Sequence, residues 1–166
     1  VMKINFKLST NGIKKIFGNE AKLYIKKDLE KTETDKTIEA LREIAYEYEN
    51  DNEGKYTKLY NLRRIEKKYK ALTFFKTLQN IITKDEHRFI VYDITKAYLS
   101  GEKSSLPVTL NDIYGHTPVY FSDLRSLLDD KHVLVEKGFL DVEKSENIEN
   151  SRVTITDKIL ELLYGE

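Results

Sequence analysis

The sequence predicts a mainly α (α+β) fold, with a helical extension at the N-terminus and a small β-hairpin near the C-terminus. Two observations carry this. Apolar residues recur at three-and-four spacing through most of the chain, the mark of helices with one buried stripe. Near the end, two short alternating segments, Leu140/Val142 and Val153/Ile155, flank the polar run 144–151, the mark of a hairpin with a long tip.

Taken in order, Ile4, Phe6 and Leu8 alternate with polar residues and predict a short strand. Ser9, Thr10 and Asn11 offer a cap for a helix through Ile13, Ile16 and Phe17, stopped by Gly18. Residues 21–31 fit neither period. Ile38, Leu41, Ala45 and Tyr48 mark an amphipathic helix, and the turn-rich loop 50–54 is the expected boundary of this first segment, 1–54. The longest pattern follows: Leu59, Leu62, Ile65, Tyr69, Leu72, Phe75, Leu78 and Ile82 predict one helix over 55–82. Arg63, Arg64, Lys67, Lys68 and Lys70 lie largely off its stripe, which suits a rod tracking phosphates or an acidic partner, or else a solvated face.

The third segment is 83–166. Thr83 and Glu86 have capping-box spacing for a helix burying Phe89, Ile90, Ile94 and Ala97, and the helix ends near Ser100-Gly101. A strand over Phe89 to Ile94 competes with that helix, and the cap decides for helix. Val108 to Leu110 reads as a brief strand, with Asn111 capping a single turn to Gly115. Thr117-Pro118 then starts a long helix with apolar positions Phe121, Leu124, Leu127, Leu128 and Leu134, terminated at Gly138. After the hairpin, Thr156 caps a final helix carrying Ile159, Leu160, Leu162 and Leu163, closed by Gly165.

Helix, strand, two helices and a strand–wing–strand hairpin is the order of a winged helix-turn-helix domain. The phrases Val133-Leu134-Val135-Glu136-Lys137-Gly138-Phe139-Leu140 and Val153-Thr154-Ile155-Thr156-Asp157-Lys158 resemble those of MarR-type regulators, with Ile159 where such regulators usually place Gly. With the tail Ile159 to Glu166, the segment also resembles the winged helix preceding the core of some bacterial AAA-type ATPases. The resemblance spans 83–166. It implies a winged-helix fold and, for function, either an accessory domain beside an ATPase or a DNA-binding regulator. The end at Glu166, straight after a helix stop, suits a natural terminus or a cut before another domain.

The net charge of zero conceals an asymmetry. Residues 1–80 carry 18 Lys/Arg against 12 Asp/Glu, and residues 81–166 carry 10 against 16. The winged half is therefore the acidic one, the reverse of a simple DNA-binding pattern. No run is long and apolar enough to span a bilayer, no signal peptide is visible, and cysteine is absent. These features predict a cytoplasmic protein without membrane contact.

No phosphate loop of the G-x-x-x-x-G-K-[ST] type occurs, so any ATPase activity is expected outside this chain. His87, His116 and His132 stand far apart without H-x-x-x-H spacing, so no metal site is expected, and no cofactor. Ser122 has no histidine neighbour, and Asp129-Asp130 read as an exposed turn, so no catalytic residue is expected. For duplex DNA, the contacts expected are Tyr120, Ser122, Arg125 and Ser126 on the helix, Lys144 and Arg152 beside the wing, and the basic helix. Otherwise the partner is an ATPase domain or another protein, and a stand-alone regulator implies a homodimer.

Overall fold

The computed structural model describes residues 31–165, so the strand and helix expected over residues 3–18 lie outside the described residues. Contacts group the chain from Glu33 onward into one compact unit. Its elements are α1 (Glu33–Tyr48), α2 (Lys55–Lys68), α3 (Thr73–Ile81), α4 (Asp85–Leu99), β1 (Ser104–Ser105), α5 (Leu106–Tyr114), α6 (Pro118–Leu128), α7 (Val133–Glu136), β2 (Leu140–Glu143), a single 3-10 turn (Ile148–Asn150), β3 (Arg152–Ile155) and α8 (Asp157–Tyr164).

Helix α4 is the centre. Every residue from His87 to Thr95 is buried, which explains the strand-like look of Phe89 to Ile94: a helix covered on all sides has no polar face to display. Leu41, Ile44 and Tyr48 of α1, Leu62 of α2, Phe75 and Leu78 of α3, and Val153 and Ile155 of β3 join it in one core. The cap differs from the expectation. Lys84, not Thr83, precedes the first turn and makes no side-chain cap bond.

A buried polar knot ties α4 to α2. The Arg88 guanidinium donates to both Glu66 oxygens (2.8 and 2.7 Å), to Asp85 Oδ1 (2.6 Å) and to the carbonyls of Ile82 and Thr83. Tyr92 donates to Glu66 Oε2 at 2.6 Å. Every strong donor and acceptor is thereby matched, the condition for burying such charges. Lys58 is also structural: its buried ammonium donates to the Tyr48 and Asp112 carbonyls at 2.7 and 2.8 Å.

The helix expected over 55–82 is two helices, which corrects that reading. The chain turns at Tyr69–Leu72, where Leu72 N–H bonds Tyr69 O, and Glu33 Oε1 accepts the freed Thr73 N–H at 2.6 Å. A distant carboxylate thus supplies the cap. The turn lets neighbouring Phe74 and Phe75 both pack on Tyr92, at ring distances of 6.1 and 5.0 Å. The loop 50–54 joins α1 and α2 within one unit and is not a boundary between units.

The strand expected at Val108–Leu110 is likewise corrected. Those residues lie inside α5, whose first turn carries Pro107, and the strand is the Ser104–Ser105 pair instead. The hairpin forms as expected, with Leu140 opposite Ile155 and Val142 opposite Val153. Ser104 pairs with Val153 on the other edge, so β3 lies between β1 and β2 in an antiparallel sheet. Gly138 and Gly165 adopt positive φ (74° and 73°) and end their helices, where a side chain would be strained. Thr156 precedes α8, but its hydroxyl bonds Gly138 O at 2.5 Å rather than capping that helix.

The long helix expected from Thr117 to Gly138 also breaks in two. Asp129 ends α6, Asp130 turns through φ 55°, and His132 restarts the chain into α7 by accepting Leu134 N–H on Nδ1 at 3.1 Å. The buried face of α6 is rotated from the expected one. Tyr120 and Leu127 are buried, whereas Phe121 is 60% exposed.

Candidate functional site

Two features of α6 define the candidate site. One is its outward face; the other is what its inward face grips.

Outward, α6 presents Val119 (41% exposed) and Phe121 (60%), with Ser122 and Arg125 beside them. The Phe121 ring meets the buried Tyr120 edge-on at 5.0 Å. Arg125, the only cation of this helix, stands 3.8 Å from Asp129. Among the residues expected to read bases, Ser122 and Arg125 are exposed, Ser126 is half-buried, and Tyr120 is buried and off the open face. Beside the wing, Lys144 pairs with Asp130 at 2.9 Å, and Arg152 is half-buried, with Nη1 donating to the carbonyls of Glu149 and Ser151.

The basic residues Arg63, Arg64, Lys67, Lys68 and Lys70 are all exposed. Arg63 is held by Asp85 at 2.6 Å and Lys68 by Glu43 at 3.1 Å. Tyr56 and Tyr60, one turn apart, are 88% and 65% exposed on the same helix.

Inward, α6 places Asp123 on its buried stripe, between Tyr120 and Leu127. Its Oδ2 faces His87 Nε2 of α4 at 3.5 Å and His132 Nε2, at the start of α7, at 3.4 Å. The two imidazole rings lie 4.7 Å apart, and all three side chains are at most 14% exposed. Burial works against an ionised Asp123, but His132, His87 and the Tyr114 hydroxyl outweigh it and hold the carboxyl well below its ordinary range. Tyr114 moves the other way, raised by its own burial and by the Asp123 charge. This corrects the inference drawn from sequence separation: two of the three histidines meet in space. His116 stays apart, edge-on to Tyr120 at 5.7 Å. The signal available was Asp123 itself, an acid at a stripe position once the stripe is read as Tyr120, Asp123, Leu124 and Leu127.

A separate acidic cleft of about 380 Å3 is lined by Glu49, Asp51, Glu102 and Asp112, with Asp93 at its base. Burial, then the charges of Glu49 and Asp112, push Asp93 up to about 7. Burial pushes Asp112 up to about 6, and Asp51 and Glu49 add to it.

No family model, curated protein or solved structure matches the chain. Within the described residues, no helix is long and apolar enough to cross a membrane.

Proposed function

We propose that this chain is a non-catalytic winged helix-turn-helix module whose α6 face docks on another protein, as an accessory or regulatory domain of a larger bacterial ATPase. The element order from α4 to β3 and the placing of β3 between β1 and β2 support the winged-helix reading. The observation that carries the docking reading is the character of the outward α6 face. Val119 and Phe121 are exposed where a DNA-reading helix needs donors and cations. Lys144 is engaged by Asp130 and Arg152 by backbone carbonyls, which leaves Arg125 as the cation of this face. Phosphate contact supplies most non-specific DNA affinity, so such a face is poorly built for DNA. The likeness of 83–166 to winged helices beside ATPase cores fits the same role.

A second reading, a stand-alone MarR-like regulator, is favoured by one observation. Tyr56 and Tyr60 stand exposed on the helix that carries exposed Arg64 and Lys67, an aromatic and basic face suited to a nucleic acid.

A photo-reactive phenylalanine analogue at Phe121, expressed in cells, tests the docking reading, with the same analogue at Tyr164 of α8 as control. The expected product at 121 is a discrete adduct with a protein bearing an ATPase core, absent from the control. A nuclease-sensitive adduct, or none, would overturn it.

A further inference from the structure

We propose that His87, Asp123 and His132 form a binding site for a divalent transition-metal ion, zinc above all, that clamps α6 and α7 onto α4.

Two of the three edges of the cluster have the length of a coordination shell. The three ligand atoms lie within 4.8 Å of one another. Asp123 Oδ2 is 3.5 and 3.4 Å from the two imidazole Nε2 atoms. A tetrahedral ion with bonds of roughly 2.0–2.1 Å sets neighbouring ligand atoms roughly 3.3–3.4 Å apart. A charge-assisted N–H···O bond would close to about 2.7–2.9 Å instead.

At these separations none of the three atoms makes a hydrogen bond of ordinary geometry. Among the described residues, five buried side-chain polar atoms have no hydrogen-bond partner, and three of them are His87 Nε2, Asp123 Oδ2 and His132 Nε2. A fourth is the Tyr114 hydroxyl, one of the groups that lower the Asp123 carboxyl. Buried polar atoms are rarely left unmatched, so their gathering at one point calls for a common partner. Two imidazoles and one carboxylate, without thiolate, suit Zn2+ or Co2+. A cleft of about 50 Å3 between Ile81–Lys84 and Val133–Lys137 is lined in part by His87.

One contact opposes binding. His132 Nδ1 accepts the Leu134 N–H, so the metal-free ring holds its proton on Nε2. Ligation through Nε2 moves that proton to Nδ1 and releases the cap bond, which weakens the site by about tenfold. Three ligands converging on one ion outweigh that loss.

The same contact supplies a clean variant. His132→Asn keeps a side-chain acceptor at the start of α7, where Asn is a favoured cap, and removes the imidazole ligand. The chelator-treated chain would be titrated with Zn2+ by calorimetry and with Co2+ by visible absorption. The proposal expects one ion per chain, the visible spectrum of tetrahedral Co2+, and a thermal midpoint raised by Zn2+. It expects affinity to fall at least about 100-fold in His132→Asn and in Asp123→Asn, because each removes a direct ligand, while His116→Ala binds normally. Circular dichroism in chelator checks that the variants fold. If Asp123→Asn does not, His132→Asn alone decides. No one-to-one binding, or equal affinity in a folded His132→Asn chain, would overturn the proposal and leave Asp123 as an acceptor for two ring N–H groups.

Discussion

Arg88→Met tests the buried ion pair of Arg88 with Glu66. Arg88 and Glu66 are 8% and 7% exposed by side chain, so solvent screens their attraction little. The substitution leaves Glu66 buried with Tyr92 as its remaining donor and removes Arg88 from the carbonyls of Ile82 and Thr83. Removing one partner of a buried pair costs about 3–5 kcal/mol, because the other charge stays behind without compensation. For the unit beginning at Glu33, unfolding entropy of about 2.1 cal/mol/K per residue turns this into a midpoint lowered by about 10–18 °C. Urea denaturation followed by far-ultraviolet circular dichroism measures the free energy, and a thermal scan the midpoint. The double variant Glu66→Leu/Arg88→Met removes both charges and is expected to recover most of the loss. A loss below about 1 kcal/mol for Arg88→Met would refute the reasoning, since it would mean that Glu66 is solvated without its partner.

The acidic cleft predicts a pH dependence. Asp93 is raised to about 7 in the folded chain, above its ordinary 3.8, so the folded state holds the proton more tightly than the unfolded one. Its contribution to stability is full below pH of about 4 and is lost as pH rises through about 7, by up to about 4 kcal/mol. Asp93→Asn is expected to flatten the fall between those limits and to raise stability at pH of about 8, measured by urea denaturation across the range. Asp112, raised to about 6 and less enclosed, is expected to give a smaller flattening in Asp112→Asn.

Local signals in the sequence located the parts of the fold that local chemistry decides. The hairpin was legible because Leu140, Val142, Val153 and Ile155 alternate and the run between them is polar. Gly138 and Gly165 were legible as stops because a positive φ favours glycine. The two broken helices were not. Neither Tyr69–Leu72 nor Asp129–His132 contains Gly or Pro, and the turns rest on distant or unusual caps: Glu33 for Thr73, and a histidine ring for Leu134. The α4 helix was ambiguous because total burial erases the polar face that periodicity detects. Ser122 and Arg125, expected from sequence as DNA contacts, are exposed on that face. Tyr120 and Phe121 were exchanged, since both are aromatic and the helix face is set by how α6 packs on α5. The His87–Asp123–His132 cluster was hidden for a plainer reason. Its members come from three helical segments, and only packing brings them together.

The central claim is that the outward face of α6 meets protein rather than DNA. Fluorescence-polarisation titration of a random-sequence duplex, at low and moderate salt, tests it most directly. The account predicts no binding at moderate salt, and any weak binding at low salt lost when Arg64 and Lys67 become Glu but kept in Arg125→Glu and Arg152→Glu. Salt-steep affinity that disappears in Arg125→Glu or Arg152→Glu would contradict it and make α6 and the wing a DNA-reading head.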